Sequence, residues 1–151
     1  MTEPTTKAEE DLRIERVFDA PRELMFKAWL DPEQLSKWYG PAQFTAPKER
    51  ITVEPQPGGR WELVMIQGNA GAEHPLRSRI VELVEPELLV IENEAMPDHG
   101  IGVTRTRVEF HDEGGKTRLV LTDGPYEGRM GDMAGQGWAG AFDKLAAVLS
   151  A

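Results

Sequence analysis

The chain predicts an α+β domain: a curved antiparallel sheet of about six to seven strands around one long C-terminal helix, with two short helices after the first strand. Two observations carry this expectation. From Gln43 to Asp123 apolar residues recur with period two between short turn signals, the pattern of antiparallel hairpins. From Met130 onward they recur at intervals of three and four, the pattern of an amphipathic helix. A chain of 151 residues is long enough to bury one core of this kind.

The elements follow in order. Residues 1–10 hold almost nothing to bury and read as a loose tail. Leu12, Ile14 and Phe18 alternate on one strand face, which Arg16 interrupts. Asp19-Ala20-Pro21 opens a helix, because a proline in the first turn gives up no hydrogen bond. Leu24, Met25, Ala28 and Trp29 form its expected buried stripe. Asp31-Pro32-Glu33-Gln34 starts a second helix, with an acceptor at the N-cap and a Gln at N3.

Strands are expected over Arg60–Ile66, Leu76–Val84, Leu88–Glu94, Gly102–His111 and Thr117–Asp123. Pro57-Gly58 suits the centre of a type II turn. The remaining connections (Glu85-Pro86-Glu87, Met96 to Gly100, Asp112 to Gly115) are short, so the strands form a meander rather than parallel crossovers. In the last helix Met130, Ala134, Trp138, Phe142, Leu145 and Leu149 share a face. Gly131, Gly135, Gly137 and Gly140 crowd its first half. They serve either close packing on the sheet or a soft gate over the interior.

Composition narrows the functions. There is no cysteine, which removes disulfides, thiolate nucleophiles and Cys-bound metals. A formal charge of −9 disfavours nucleic acid and anionic membrane surfaces. No apolar run approaches the length of a membrane span and no signal pattern opens the chain, so a cytoplasmic address is expected. His74, His99 and His111 fall in or beside turns without metal-ligand spacing. Ser36, Ser78 and Ser150 lie in no nucleophile motif. No catalytic residue, metal or cofactor is therefore assigned.

Charged residues on the strands (Arg77, Arg79, Glu92, Glu94, Arg105, Arg107 and Glu109) are expected on a solvated outer face. A group turned inward would instead have a shifted pKa and chemical use, and Tyr39 and Asp123 are candidates for the mouth of an interior space.

The motifs, taken in order, resemble one family. Val17-Phe18-Asp19-Ala20-Pro21 with Phe26-Lys27-Ala28-Trp29 looks like its opening strand and helix. Asp31-Pro32 with Trp38-Tyr39-Gly40-Pro41 looks like its Trp-aromatic-Gly-Pro signature, and Pro57-Gly58-Gly59-Arg60-Trp61 like its Gly-Gly hairpin. Glu82 to Pro86 with Leu88-Leu89-Val90 matches two of its strands, and Gly137-Trp138 with Phe142 to Leu145 its closing helix. The chain thus resembles the START-like (SRPBCC) superfamily, in the branch of homologues of the activator of the heat-shock-protein-90 ATPase. It departs from that pattern at His74-Pro75-Leu76-Arg77, where related sequences often carry glycine.

The resemblance implies a helix-grip fold over residues 11–151 with a cavity between sheet and helix. It implies binding of a hydrophobic or amphipathic small molecule there, lined by Met25, Trp29, Trp38, Trp61, Met65, Phe110, Met130, Ala134, Trp138 and Phe142, although the large rings among them serve equally as ordinary core that fills the gap. A cyclase- or hydrolase-type enzyme using the same pocket is the alternative, followed by a module that stimulates a chaperone ATPase. Self-association as a homodimer is left open.

Overall fold

The computed structural model describes residues 9–69 and 71–150. Eight strands form one curled antiparallel sheet: β1 (Glu9–Phe18), β2 (Phe44–Thr45), β3 (Thr52–Val53), β4 (Arg60–Gln67), β5 (Ala72–Val84), β6 (Leu88–Asn93), β7 (Thr104–Glu113) and β8 (Lys116–Glu127). Their spatial order is β1-β8-β7-β6-β5-β4-β2, with β3 also paired to β4. The count exceeds the expected six to seven because β2 and β3, two residues each, are too short to show a period. The tail expected over residues 1–10 lies outside the described residues as far as residue 8, and β1 already begins at Glu9.

The sheet curls where its ladder is irregular. One bulge falls between Ile80 and Glu82 on β5, and a second displaces the β1–β8 register near Leu12. An extra residue in one strand bends it and increases its twist. The concave face takes the apolar residues and the convex face the charges, so along β7 Thr104, Thr106 and Val108 are buried while Arg105 and Arg107 are exposed. On the convex face Arg105 pairs with Glu92 and Arg107 with Glu109, both at 2.9 Å. Such exposed pairs add little stability. His74 lies within β5, and His111 lies near the end of β7 beside the turn that follows, as the expected strand Gly102–His111 has it.

Three helices cover the concave side: α1 (Arg22–Leu30), α2 (Pro32–Trp38) and α3 (Gly128–Ser150). The Asp31 carboxylate caps α2 by accepting from the Glu33 N–H at 3.0 Å. On α1 the buried set is Met25, Phe26, Ala28 and Trp29, whereas Leu24 is half exposed, a correction to the expected stripe. The rotation follows from Phe26, whose ring packs edge-on to Phe110 with centroids 5.4 Å apart. Arg16 does face α3 as its position in β1 implies. Its guanidinium bonds Asp143 at 2.9 Å and lies 5.3 Å from the centre of the Phe18 ring, which keeps the charge at the margin of the core.

The core is an aromatic wedge beneath the second half of α3. Phe142 is fully buried and meets Phe18, Trp29 and Trp38 at centroid separations of 5.6, 6.4 and 6.5 Å. Trp38 donates its indole N–H to the Ala28 carbonyl at 3.0 Å, and Trp61 donates to the Trp29 carbonyl at 2.9 Å. These bonds fix α1, α2 and β4 to one another without leaving either indole unsatisfied.

The glycines of α3 divide by position. A Cβ at Gly140 would stand 3.0 Å from the Ala42 nitrogen, and one at Gly137 would stand 3.3 Å from the Pro41 ring. A Cβ at Gly135 would meet nothing within 4 Å. Close packing therefore accounts for Gly137 and Gly140 but not for Gly135. Gly135→Ala should raise stability by up to about 1 kcal/mol, the helix-propensity difference. Gly140→Ala should lower it despite the same propensity gain, because the obstruction is backbone. Urea unfolding of the two variants measures both signs, and a stabilised Gly140→Ala protein would refute the packing account.

Candidate functional site

Under the first half of α3 the wedge ends and a cavity of about 190 Å³ remains. Its walls come from the α2–β2 loop (Tyr39, Gly40, Pro41), from β4 and β5 (Met65, Leu76), and from α3 (Met133, Ala134, Gly137, Trp138, Ala141). The segment after β6 adds Glu94, Met96 and Ile101. Glu94 and Met133 are the exposed members and mark the rim. The remainder of the wall is polar, contributed by Asn93, Thr104, Thr106, Asp123 and Tyr126.

The polar wall follows from strand register. Ser78 stands opposite Asn93, Asn93 opposite Thr104, and Thr106 opposite Asp123, so their side chains share the concave face. Ser78 bonds the Asn93 amide oxygen at 2.5 Å, and the Asn93 amide donates to the Thr104 and Thr106 hydroxyls at 3.0 Å each. The Thr106 hydroxyl donates to Asp123 Oδ1 at 2.8 Å. The other oxygen, Oδ2, accepts from the Tyr126 hydroxyl at 2.7 Å and from the Trp138 indole N–H at 2.9 Å. One hydrogen-bonded chain thus crosses β5, β6, β7 and β8 and ends on α3.

A strand of strict period two would send Asp123 and Tyr126, three residues apart, to opposite faces. They share a face because β8 carries one extra residue there. Glu10 pairs with Tyr126 and Leu12 with Asp123, so two steps on β1 match three on β8. The surplus falls at Gly124-Pro125, and proline is tolerated in a sheet at such bulges.

Asp123 is 2% exposed, and burial pushes its carboxyl above the ordinary 3.8. The bonds from Trp138, Tyr126 and Thr106 act in the opposite direction, and the charge of Asp11 adds to the rise. Burial, with Asp123 nearby, likewise raises Tyr39 and Tyr126 and keeps both phenols protonated. Lys144 is lowered by its own partial burial. Its ammonium donates to the Pro41 and Phe44 carbonyls at 3.1 and 3.0 Å, tying α3 to the loop that walls the cavity.

Of the ten residues expected to line a pocket, Met65, Ala134 and Trp138 lie on this wall. Met25, Trp29, Trp38, Trp61, Phe110 and Phe142 belong instead to the solid core behind it. They are placed there because the aromatic rings fill the gap under α3 rather than surround a space. Met130 faces a neighbouring depression of about 230 Å³ that shares Ile101 and Tyr126 with the cavity. Asn93, Thr104, Thr106 and Tyr126 carried no motif. The visible signal was an Asn closing a strand otherwise made mostly of Leu, Val and Ile, and two Thr alternating with Arg on the next strand.

An antiparallel sheet curled on a long C-terminal helix, with two short helices between the first strands, is the helix-grip fold of START-like proteins. Within that class the chain belongs to the family described as Activator of Hsp90 ATPase homolog 1-like protein, whose model matches residues 19–150. The structure of protein CV1439 from Chromobacterium violaceum superposes with a TM-score of 0.85 at 22% identity, covering 93% of this chain and 97% of that one. The AHSA1 protein SPO3351 from Silicibacter pomeroyi gives 0.76 at 25% identity, covering 93% and 98%. CalU16 from Micromonospora echinospora gives 0.70 at 22% identity, covering 94% and 77%. Among curated proteins none matches the chain.

The pKa of Asp123 fixes the sign of its effect on stability. Because the folded value lies above the ordinary 3.8, ionised Asp123 opposes folding, and its contribution falls as pH rises from 3.8 through the folded midpoint. Glu109, lowered by Arg107 and then His111, works the other way and loses its contribution on acidification. A carboxyl-carbon NMR titration should place Asp123 above 3.8, and a midpoint at or below that value would contradict the burial argument.

Proposed function

We propose that the chain binds a small amphipathic molecule in the cavity between the sheet and α3, with residues 11–151 acting as one ligand-binding unit in the cytoplasm. The observation that carries the reading is the cavity itself: about 190 Å³, against an apolar cavity of about 150 Å³ that suffices for benzene. Its wall combines methionines and aromatic rings with a few convergent polar groups, the usual composition of a small-molecule site. Met65, Met96 and Met133 supply an adaptable apolar side. The polar row supplies orientation.

The methionine methyls also supply the test. Titration with 2-phenylethanol, a neutral amphiphile of suitable size, should shift the Met65, Met96 and Met133 methyl resonances saturably. Met25 lies in the solid core and should stay in place. Ala134→Trp should fill the space and abolish the shifts. Linear, unsaturable shifts, or shifts that survive Ala134→Trp, would count against a binding cavity.

A second reading is favoured by one observation, the buried carboxyl of Asp123 beside two protonated phenols on the same wall. Acid–base catalysis of the cyclase or hydrolase type would use such a group. It predicts that a ligand recovered from the host is converted by the wild-type protein and not by Asp123→Asn. Stimulation of a chaperone ATPase rests on the family description alone and is not part of the proposal.

A further inference from the structure

The cavity wall holds two carboxyl groups, Asp123 inside and Glu94 at the rim. No Lys, Arg or His is on that wall, and among the described residues none forms an ion pair with Asp123. Lys144 of α3 donates instead to the Pro41 and Phe44 carbonyls. Asp11, close enough to act on Asp123, adds a further negative charge. A carboxyl group that is 2% exposed is thus hydrogen-bonded but has no cationic partner.

The hydrogen bonds themselves leave room. A carboxylate has about four acceptor sites, and Thr106, Tyr126 and Trp138 fill three on Asp123. The surroundings also suit a positive charge. Tyr39, Tyr126 and Trp138 line the same space, and the Tyr39 and Trp138 rings meet at 88° with centroids 5.7 Å apart, forming adjoining aromatic walls. Ring faces attract cations, and the attraction strengthens where water is excluded.

We propose that the ligand is an organic cation, an ammonium on a small aromatic or alkyl body, whose charge docks against Asp123 between the rings of Tyr39, Tyr126 and Trp138. This rests on the binding reading of the cavity. The apolar body lies toward Met65, Met96 and Ala134, and the ammonium donates to the remaining acceptor site of Asp123. A cation there supplies the countercharge that the fold omits, and charged hydrogen bonds in a low-dielectric site are the strong ones. An anionic ligand would meet repulsion from Asp123, Glu94 and Asp11 together.

The experiment compares three molecules of one shape: phenethylammonium, 2-phenylethanol and phenylacetate, titrated calorimetrically at about pH 8, where the amine is charged. Phenethylammonium should bind at least about tenfold more tightly than the alcohol, and phenylacetate more weakly than either. In Asp123→Asn the ammonium should lose that advantage over the alcohol, and an unchanged circular-dichroism spectrum certifies that the variant folds. If Asp123→Asn does not fold, the wild-type ranking decides alone. Alcohol binding as tightly as the ammonium would overturn the cationic ligand and leave the cavity reading standing. Failure of all three to bind would remove both.

Discussion

A sheet that curls around a single helix encloses more space than aliphatic side chains from two layers can fill, and here rings fill it from the side. The short helices α1 and α2 insert Trp29 and Trp38 between the sheet and α3, where they close on Phe142. Everything else about the interior depends on where that insertion stops. Under Phe142 and Leu145 the space is closed and the residues are fully buried. One turn earlier Trp138 stacks on Trp29 at 5.7 Å, with its other surroundings on the cavity wall. The same helix stripe therefore does two jobs in sequence, core at its end and wall at its start.

The polar row occupies the space the wedge leaves. Buried hydroxyls and amides are costly unless each finds a partner, and the register of β5 to β8 supplies partners in series, from Ser78 to Asp123. The last link is not made by the sheet alone. The bulge at Gly124-Pro125 turns Tyr126 back to the concave face, and Trp138 reaches it from α3. Asp123 is thereby the point where sheet, bulge and helix meet. Any ligand that touches it acts on the joint between the two halves of the fold.

Much of this was legible in the sequence, and the failures have physical causes. Period two and the turn residues located five of the strands, and Asp31-Pro32 located the start of α2. The pocket wall could not be separated from the core because a fully buried Trp and a pocket-lining Trp look alike in sequence. Trp29, Trp38 and Trp61 are 0% exposed, and only the three-dimensional position of α1 and α2 distinguishes them from Trp138. The β8 bulge was invisible for a different reason. Period-two reading assumes an unbroken ladder, and under that assumption Asp123 and Tyr126 never meet. Tyr39 and Asp123 were named as candidates for the mouth of the space, and both lie on its wall, buried rather than at the rim.

The choice of side chain at 123 separates what architecture needs from what it does not. Three donors converge there: the Thr106 hydroxyl, the Tyr126 hydroxyl and the Trp138 indole N–H. Leucine would orphan all three at a cost of about 1–3 kcal/mol for each buried donor. Asparagine would turn its own amide donor toward at least one of them. A carboxyl group accepts from all three donors at once, and these hydrogen bonds account for its place in the core. They do not account for its charge. Three neutral donors stabilise an ionised carboxylate less than burial penalises it, as the upward shift of Asp123 records. What remains after the architecture is satisfied is one acceptor site and one carboxyl group without a countercharge, both on the wall of an open cavity. Their resolution must come from a proton or from a molecule that enters.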